Sequence, residues 1–481
     1  MRNLSHMLCG IVVCLSTIAT PTFSQEQLGL RLDNYSGSTG IIQNPAANAT
    51  NPLSWDINVF GMGFFSNSNL LYVEKGSVGS VLRNREKIGP SPSLNSDFVG
   101  TSKLFYNLSD KNLYGGGFSA RFMGPSATIN LKNGNSFGFF TGVRFMASSH
   151  DLPKQLGETL LTNRRFNITT PLDKFKGNAM LWSEYGLNYG YTMGNEQDGK
   201  LALGASLKFV QAHQAFFIKN YQGTEMTQIA PDSFQMGALR ATFGYTTNYD
   251  KPTLKPNGSG FGLDVGAVMT IPARDDKPYE WRLGVSFLDM GKVTMRQNVE
   301  VNSYNVKEGF LITKDDFKDI DWLNNPRAEV MKRLNDKALG AGKSAQIANA
   351  FEMGMPATFS VQADYAYSKE IFISGVLMQR LPVGEKVLER ENVLAIVPRY
   401  ETRWISGSLS MTMVNYQQVR WGMNARLGFL TIGTENLGSY FKHKRLYGSD
   451  FYMALKVNPL NNSLFGNVGG GRKKNVSCYR F

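Results

Sequence analysis

Along most of the chain apolar and polar residues alternate one for one, in stretches of about ten residues. A period of two puts successive side chains on opposite faces of a β-strand, and about ten residues let a tilted strand cross a bilayer. Segment 183–194 shows the pattern most plainly. Tyr185, Leu187, Tyr189, Tyr191 and Met193 share one face, and Glu184, Gly186, Asn188, Gly190 and Thr192 the other. Segment 259–271 repeats it, setting Phe261, Leu263, Val265, Ala267, Met269 and Ile271 against Gly262, Asp264 and Gly266.

The alternation predicts strands at 53–62, 113–123, 126–131, 136–147, 183–194, 200–212, 235–248, 259–271, 280–293, 357–367, 370–380, 401–413, 419–432 and 450–457. A soluble β-sandwich also alternates, but two features point to a membrane. Large aromatics sit near strand ends on the apolar faces, as an interfacial girdle requires, and the polar faces are glycine-rich with isolated charges, as suits a lumen. The predicted fold class is therefore all-β, a transmembrane antiparallel β-barrel of about 14 strands.

Tight links are expected at Asn133-Gly134, Asp198-Gly199, Ser368-Lys369 and 414–418, where turn chemistry separates neighbouring strands. Long inserts fall at 66–112, 148–182, 213–234, 295–356, 381–400 and 433–449. The largest, 295–356, is expected to be helical between about Asp315 and Phe351, with breaks at Pro326 and around Gly340. With the C-terminus in the periplasm, this insert falls outside the cell.

The N-terminus adds a compartment. Arg2 precedes the apolar stretch Met7 to Ala19, and Thr22 and Ser24 are small residues at the positions a signal peptidase reads. Cleavage after Ser24 leaves Gln25 first, and of the three cysteines only Cys478 remains, so no internal disulfide is available. The expected organisation is a signal peptide at 1–24, a hatch at 25–52, a barrel at 53–457 and a basic periplasmic tail at 458–481. Segment 25–50 combines turn residues (Asn34, Gly37, Gly40, Asn44-Pro45) with few large apolar ones, so it cannot fold alone and is expected to enter the lumen.

Lys and Arg number 51 against 38 Asp and Glu, a formal charge of +13. The basic residues are scattered and form no stripe, which fits outer-membrane lipid and lipopolysaccharide and argues against nucleic acid. On the inward parity the strands place Arg121, Arg144, Lys208, Arg282, Arg420, Arg426 and Lys456 opposite Asp56, Glu184, Asp264 and Asp364. Enclosed charges must pair or sit in water. Glycines 186, 190, 204, 262, 266, 284, 422 and 428 share that face and would let another backbone approach. The expectation is a lumen packed by a hatch and threaded by ion pairs; the alternative is that these glycines only ease strand curvature. Asn188, being inward, is expected to tolerate an arginine better than the lipid-facing Leu187.

Motifs for chemistry are weak. Gly134-Asn135-Ser136-Phe137-Gly138 has nucleophile-elbow spacing but opens a strand instead of a helix. Gly340-Ala341-Gly342-Lys343-Ser344 lacks the first glycine of a phosphate-binding loop, since Lys337 stands there. His150, His213 and His443 are too dispersed for zinc, and Asp315, Asp316, Asp319 and Asp321 lack calcium-loop spacing. Neither an enzymatic activity nor a cofactor or metal is expected.

Several blocks, taken in order, resemble an uncharacterised Bacteroidota family of outer-membrane barrels. They include Asn34-Tyr35-Ser36-Gly37, Gln43-Asn44-Pro45-Ala46, Trp55-Asp56-Ile57-Asn58 and Trp182-Ser183-Glu184-Tyr185-Gly186. Gly260 to Gly266, Leu283 to Gly291, Gly433 to Leu437 and Ser449 to Met453 continue the series. The early Asn44, Pro45 and Ala46 are more distantly similar to the fatty-acid-transporter-like superfamily and to accessory barrels of type IX secretion. That resemblance implies that Asn44-Pro45-Ala46 belongs to the hatch. The function expected first is a non-enzymatic accessory or scaffold subunit of an envelope transport, secretion or assembly complex, working through protein partners. The alternative is a fatty-acid-transporter-like channel for small hydrophobic molecules.

Overall fold

A computed structural model describes residues 26–459 apart from 93–101, 111–112, 154–166, 168, 196, 231–232, 249–254, 318–325 and 442–443. The expected signal peptide, His443, the expected tail beyond 459 and Cys478 lie outside the described residues. Fourteen antiparallel strands close into one barrel. They are β1 (Trp55–Ser68), β2 (Leu113–Met123 continued by Ser126–Asn130), β3 (Asn135–Pro153), β4 (Phe175–Asn195), β5 (Gly199–Asn220), β6 (Gly258–Ile271) and β7 (Trp281–Met295). The circuit continues through β8 (Phe351–Gly354 with Thr358–Ala366), β9 (Ile371–Arg380), β10 (Val393–Glu401), β11 (Ile405–Val414), β12 (Gln418–Leu427), β13 (Leu430–Thr434) and β14 (Gly448–Val457). Each strand pairs with its neighbour in sequence, and β1 pairs with β14 from Ile57↔Val457 to Asn67↔Gly448, so the sheet has no free edge.

The expected number of strands is met by a different set. Segments 113–123 and 126–131 form a single wall strand interrupted at Gly124-Pro125, because both pair with β1 and with β3. Segment 235–248 contributes no wall strand: Gln235 and Met236 end the strand Ser233–Met236 of a small separate sheet, and Leu239–Thr246 pairs with the far end of β5 and with Val299–Val306, beyond the barrel wall. Segment 419–432 splits at Gly428, with φ of 58°, into β12 and β13. Strand β10 lies within the expected 381–400 insert. Both of its faces carry apolar residues and Pro398 interrupts it, so it lacks the period-two signature. In the 295–356 insert the helix runs from Pro326 to Leu339 and stops at Gly340, with φ of 99°. The following segments Gln346–Ala348 and Phe351–Gly354 are strands, not helix.

Short turns gather at one end of the barrel and, apart from the 415–417 turn, long connections at the other, where two small four-stranded sheets sit. Strands β4 and β5 have 21 and 22 residues, about twice what a bilayer crossing needs, so the wall extends beyond the membrane at the long-loop end. The outward positions are apolar and bare: Leu187 is 64% exposed, Phe261 62% and Trp421 61%. Water would not tolerate such a band; lipid does. Phe137, Tyr191, Trp281 and Tyr400, all exposed, ring the short-turn end where an interfacial girdle belongs. No described helix is long and apolar enough to cross a membrane.

Candidate functional site

The lumen is occupied from both ends. From the short-turn end the N-terminal segment Glu26–Asn51 runs inside the barrel as one helical turn (Leu28–Arg31) and two 3-10 turns (Gly37–Ile42 and Pro45–Thr50). Asn44 starts the last of these: its side chain accepts from the Ala46 N–H at 3.0 Å, and Pro45 at the first position has no N–H to leave unsatisfied. The Asn44 amide also donates to the carbonyls of Ala267 (3.2 Å) and Val285 (3.3 Å) in the wall. Asn188 donates to the Pro45 carbonyl at 3.1 Å and to Ser206 Oγ at 3.0 Å. A β-carbon at Gly204 would collide with the Pro45 and Ala46 backbone, and one at Gly266 with Asn44. Gly204 and Gly266 thus let the segment approach the wall, whereas the space at Gly186 is filled by Phe140 and that at Gly262 by Met355. Asn188, 3% exposed beneath the segment, has no room for an arginine, so inward parity does not make it tolerant.

From the long-loop end the β9–β10 connection folds inward, burying Val387 to Asn392. Leu388 packs on an apolar layer that includes Met146, Met180, Trp182, Phe217, Met295, Met353 and Met355. Thioether side chains repack at low cost, so this layer is the most adaptable part of the interior.

Between the two plugs lies a buried charged centre. Arg144 Nη1 is 3.2 Å from Glu184 Oε2 and 3.0 Å from Asp289 Oδ1. Lys208 Nζ is 2.6 Å from Asp264 Oδ1 and also bonds Asp289. Arg121 Nη2 stands 3.5 Å from Glu184 Oε1, and Arg390 of the inward loop bonds Asp289 through Nη2. Asp289 is thus the hub, shared by Arg144, Lys208 and Arg390. Alternation places it on the lipid face. A bulge, seen in the register shift between Leu263 and Val265 and the φ of 54° at Asp289, turns both Leu288 and Asp289 inward. A carboxylate at a mid-membrane lipid position was itself the signal that such a bulge exists.

Of the other charges read from the sequence, Arg426, Lys456 and Asp56 hold the N-terminal segment, whereas Arg282, Asp364 and Arg420 pair with groups of the wall. Arg426 Nε is 2.9 Å from Asp33 Oδ2. Lys456 Nζ donates to the carbonyls of Tyr35 (2.9 Å) and Ser36 (2.6 Å) and stands 3.3 Å from Asp56. Arg282 and Arg399 both lie 3.0 Å from Asp364. Arg420 donates to Asn67 Oδ1 at 2.8 Å and takes no carboxylate within bonding reach among the described residues. Glu26, Arg31, Asp289, Arg390, Arg399 and Glu435 were missed, because they come from the hatch, from a bulge, from the inward loop, from an unrecognised strand or from beyond a strand end. Glu435 accepts from the Leu28 N–H at 2.8 Å.

Among the small spaces of this interior are one of about 50 Å³ beside the N-terminal segment near Asn44, Arg282 and Asp364, and one of about 10 Å³ in the charged centre. The catalytic motifs do not assemble. Ser136 is buried at the start of β3 without a hydrogen-bond partner, and Gly340 to Ser344 form a turn after a helix. His150 meets Glu389, whereas His213 bonds Ser183 at 2.8 Å. No metal-binding group of His, Cys, Asp or Glu occurs among the described residues.

The family of unknown function DUF5723 matches residues 45–435, which run from the hatch to the end of β13. The chain belongs to this family. No curated protein matches this DUF5723 member in sequence. Among solved structures it aligns with a TodX ΔS2S3 mutant monoaromatic hydrocarbon channel at 10% identity and a TM-score of 0.41, over 88% of this chain and 94% of that one. It aligns with the Pseudomonas putida toluene transporter TodX at 9% identity and 0.37, over 88% and 92%. With the Ralstonia pickettii toluene transporter TbuX the values are 8% and 0.33, over 88% and 94%.

Proposed function

We propose that this DUF5723 barrel is a gated outer-membrane channel for small hydrophobic molecules, closed in the state described. The orientation that suits it puts the short turns and the hatch in the periplasm and the long loops outside. The observation that carries the reading is the methionine-rich layer beneath the inward loop. An apolar layer at the long-loop mouth serves no purpose in a polar pore, but it is where a hydrophobic solute would partition once Leu388 withdraws from it. Five-residue β13 supplies a way out through the wall. It pairs with β12 only from Met423 to Leu427, and the 418–422 flank of β12 makes no ladder on that side among the described residues.

The purified mature barrel in vesicles tests this. Entry of the nonpolar fluorophore N-phenylnaphthylamine should accelerate, whereas swelling in arabinose should match empty vesicles. Rapid arabinose entry would indicate a porin, and no acceleration of either solute would remove the transport reading. The two small sheets at the long-loop end favour a second reading, a scaffold that contacts envelope proteins there. A stoichiometric partner in a mild-detergent pull-down, lost when 307–345 is replaced by a short linker, would favour the scaffold.

A further inference from the structure

Basic residues that lie far apart in the chain gather at one of the two small sheets of the long-loop end. Its strands stand in the order Arg445–Leu446, Leu71–Glu74, Leu104–Leu108 and Ile88–Pro90. Each has a lysine immediately outside its bounds, and the register brings all four lysines to one end of the sheet. The Lys75 N–H donates to the Lys444 carbonyl at 3.2 Å, and the Lys103 N–H to the Lys87 carbonyl at 2.7 Å. The strand that follows Lys103 runs antiparallel to the one that Lys75 ends, so the two pairs lie side by side. Neighbouring strands are about 4.8 Å apart, which makes the row about 14 Å long. All four lysines are exposed. In 71–90, 102–110 and 444–448 basic residues outnumber acidic ones seven to three. Glu74 already accepts from Asn107 at 2.8 Å, and Asp110 pairs with Arg445 at 2.8 Å. Among the described residues no carboxylate pairs with any of the four lysines.

An apolar flank adjoins this row. The turn Leu437–Tyr440 packs on β12 and on the short helix Val78–Arg83, and the Tyr440 hydroxyl ties it to the wall by donating to the Asp450 carbonyl at 2.8 Å. Phe441, just before this stretch reaches Lys444, is 64% exposed, and Leu82 of the helix is exposed too. Val419 and Trp421, near the long-loop end of β12, are bare on its lipid face. We propose that the lysine row and this flank bind lipopolysaccharide of the outer leaflet, with acyl chains along Trp421 and Phe441 and anionic groups on the lysines. A soluble polyanion would use the lysines and leave Phe441 and Leu82 in water. A phospholipid would cover the flank but bring a single phosphate to four ammonium groups. Lysine, a point charge on a flexible stem, suits several anionic groups whose positions are not fixed. The inference rests on the orientation with the long loops outside, and not on transport.

The test uses the mature barrel in phosphatidylcholine nanodiscs and short-core lipopolysaccharide carrying a fluorophore, read by anisotropy against empty nanodiscs. Binding should saturate, weaken as salt rises and persist in excess inorganic phosphate or polyglutamate. An exposed charge pair contributes roughly a factor of two, so Lys75→Gln, Lys87→Gln, Lys103→Gln and Lys444→Gln combined should weaken binding about 16-fold. Phe441→Ser should weaken it as well, which a site for a soluble polyanion would not show. All these positions are exposed, so heat-modifiable migration should be unchanged. Parental affinity in the combined variant would overturn the proposal. Displacement by polyglutamate as readily as by unlabelled lipopolysaccharide would overturn it in favour of an acidic protein segment. If the combined variant does not fold, Lys75→Gln with Lys444→Gln should still weaken binding about fourfold. Entry of N-phenylnaphthylamine should be the same in all these variants, so failure of this site and failure of the channel reading are seen separately.

Discussion

Asp289→Asn removes the hub of the charged centre at nearly constant shape. Asparagine tolerates the left-handed backbone of the bulge, so the wall should survive. The loss is then electrostatic and unevenly shared. Arg144 retains Glu184 and Lys208 retains Asp264, at 3.2 and 2.6 Å. Arg390 keeps only Glu26, at 3.9 Å. Breaking one buried ion pair from one side costs about 3–5 kcal/mol, because a buried charge is left uncompensated. Here most of that cost should fall on the seating of the inward loop, since the barrel's ladder hydrogen bonds do not involve the Asp289 carboxylate. A shift of this size changes the closed-to-open ratio of the loop by roughly two to four orders of magnitude. Trypsin cleavage at Lys386, near the exposed loop tip, should accelerate accordingly, and planar bilayers should show openings rare in the parent. Arg390→Met should open the loop less than Asp289→Asn, since it removes the stranded charge along with its partner. The double variant should fall well short of additivity. Unchanged proteolysis and conductance in a correctly folded Asp289→Asn barrel would refute the claim that this ion pair seats the loop.

Three further outcomes follow from the geometry. Leu187→Arg, on the lipid face, should destabilise the barrel by about 2–4 kcal/mol in equilibrium unfolding from bilayers if the site is near the midplane; Asn188→Arg should spare the wall but raise conductance by displacing Pro45, and the same phenotype at both positions would contradict the assigned faces. Deleting 28–48, or placing leucine at Gly204 where it meets the Pro45 backbone, should leave a heat-modifiable barrel with higher single-channel conductance and greater sensitivity to bulky antibiotics; an inserted barrel of parental conductance would show that the segment does not close the lumen. Burial raises the Glu391 carboxyl from its ordinary 4.5 to about 7, against the opposing pull of Arg420 and Arg380 and with Glu389 adding to the rise. The folded loop thus holds its proton more tightly than the released loop, so its seating should be firmest below about pH 4.5, weaken as the pH rises to about 7 and change little above; tryptic cleavage at Lys386, normalised to a control peptide, that fell with rising pH would contradict this.

What the chain determined by itself is the barrel and the faces of its regular strands. A period of two is a local property, so Leu187, Val265 and Phe261 could be assigned to lipid, and Glu184, Lys208 and Asp264 to the lumen, without knowing any contact. The fourteen-strand total was legible, but partly through compensating differences, since β10 hides its alternation behind apolar residues on both faces and β2 is a single strand read as two. The tertiary structure decided everything that depends on distant segments meeting. A single extra residue at the Asp289 bulge reverses parity and brings a carboxylate to Arg144, 145 positions away in sequence. Arg390 reaches the same carboxylate from a connection that sequence marks only as a gap between strands. Periodicity reports which way a side chain points on a regular strand; it carries no information about bulges, inward loops or the partner a buried charge will find, because those follow from closing the sheet and filling what it encloses.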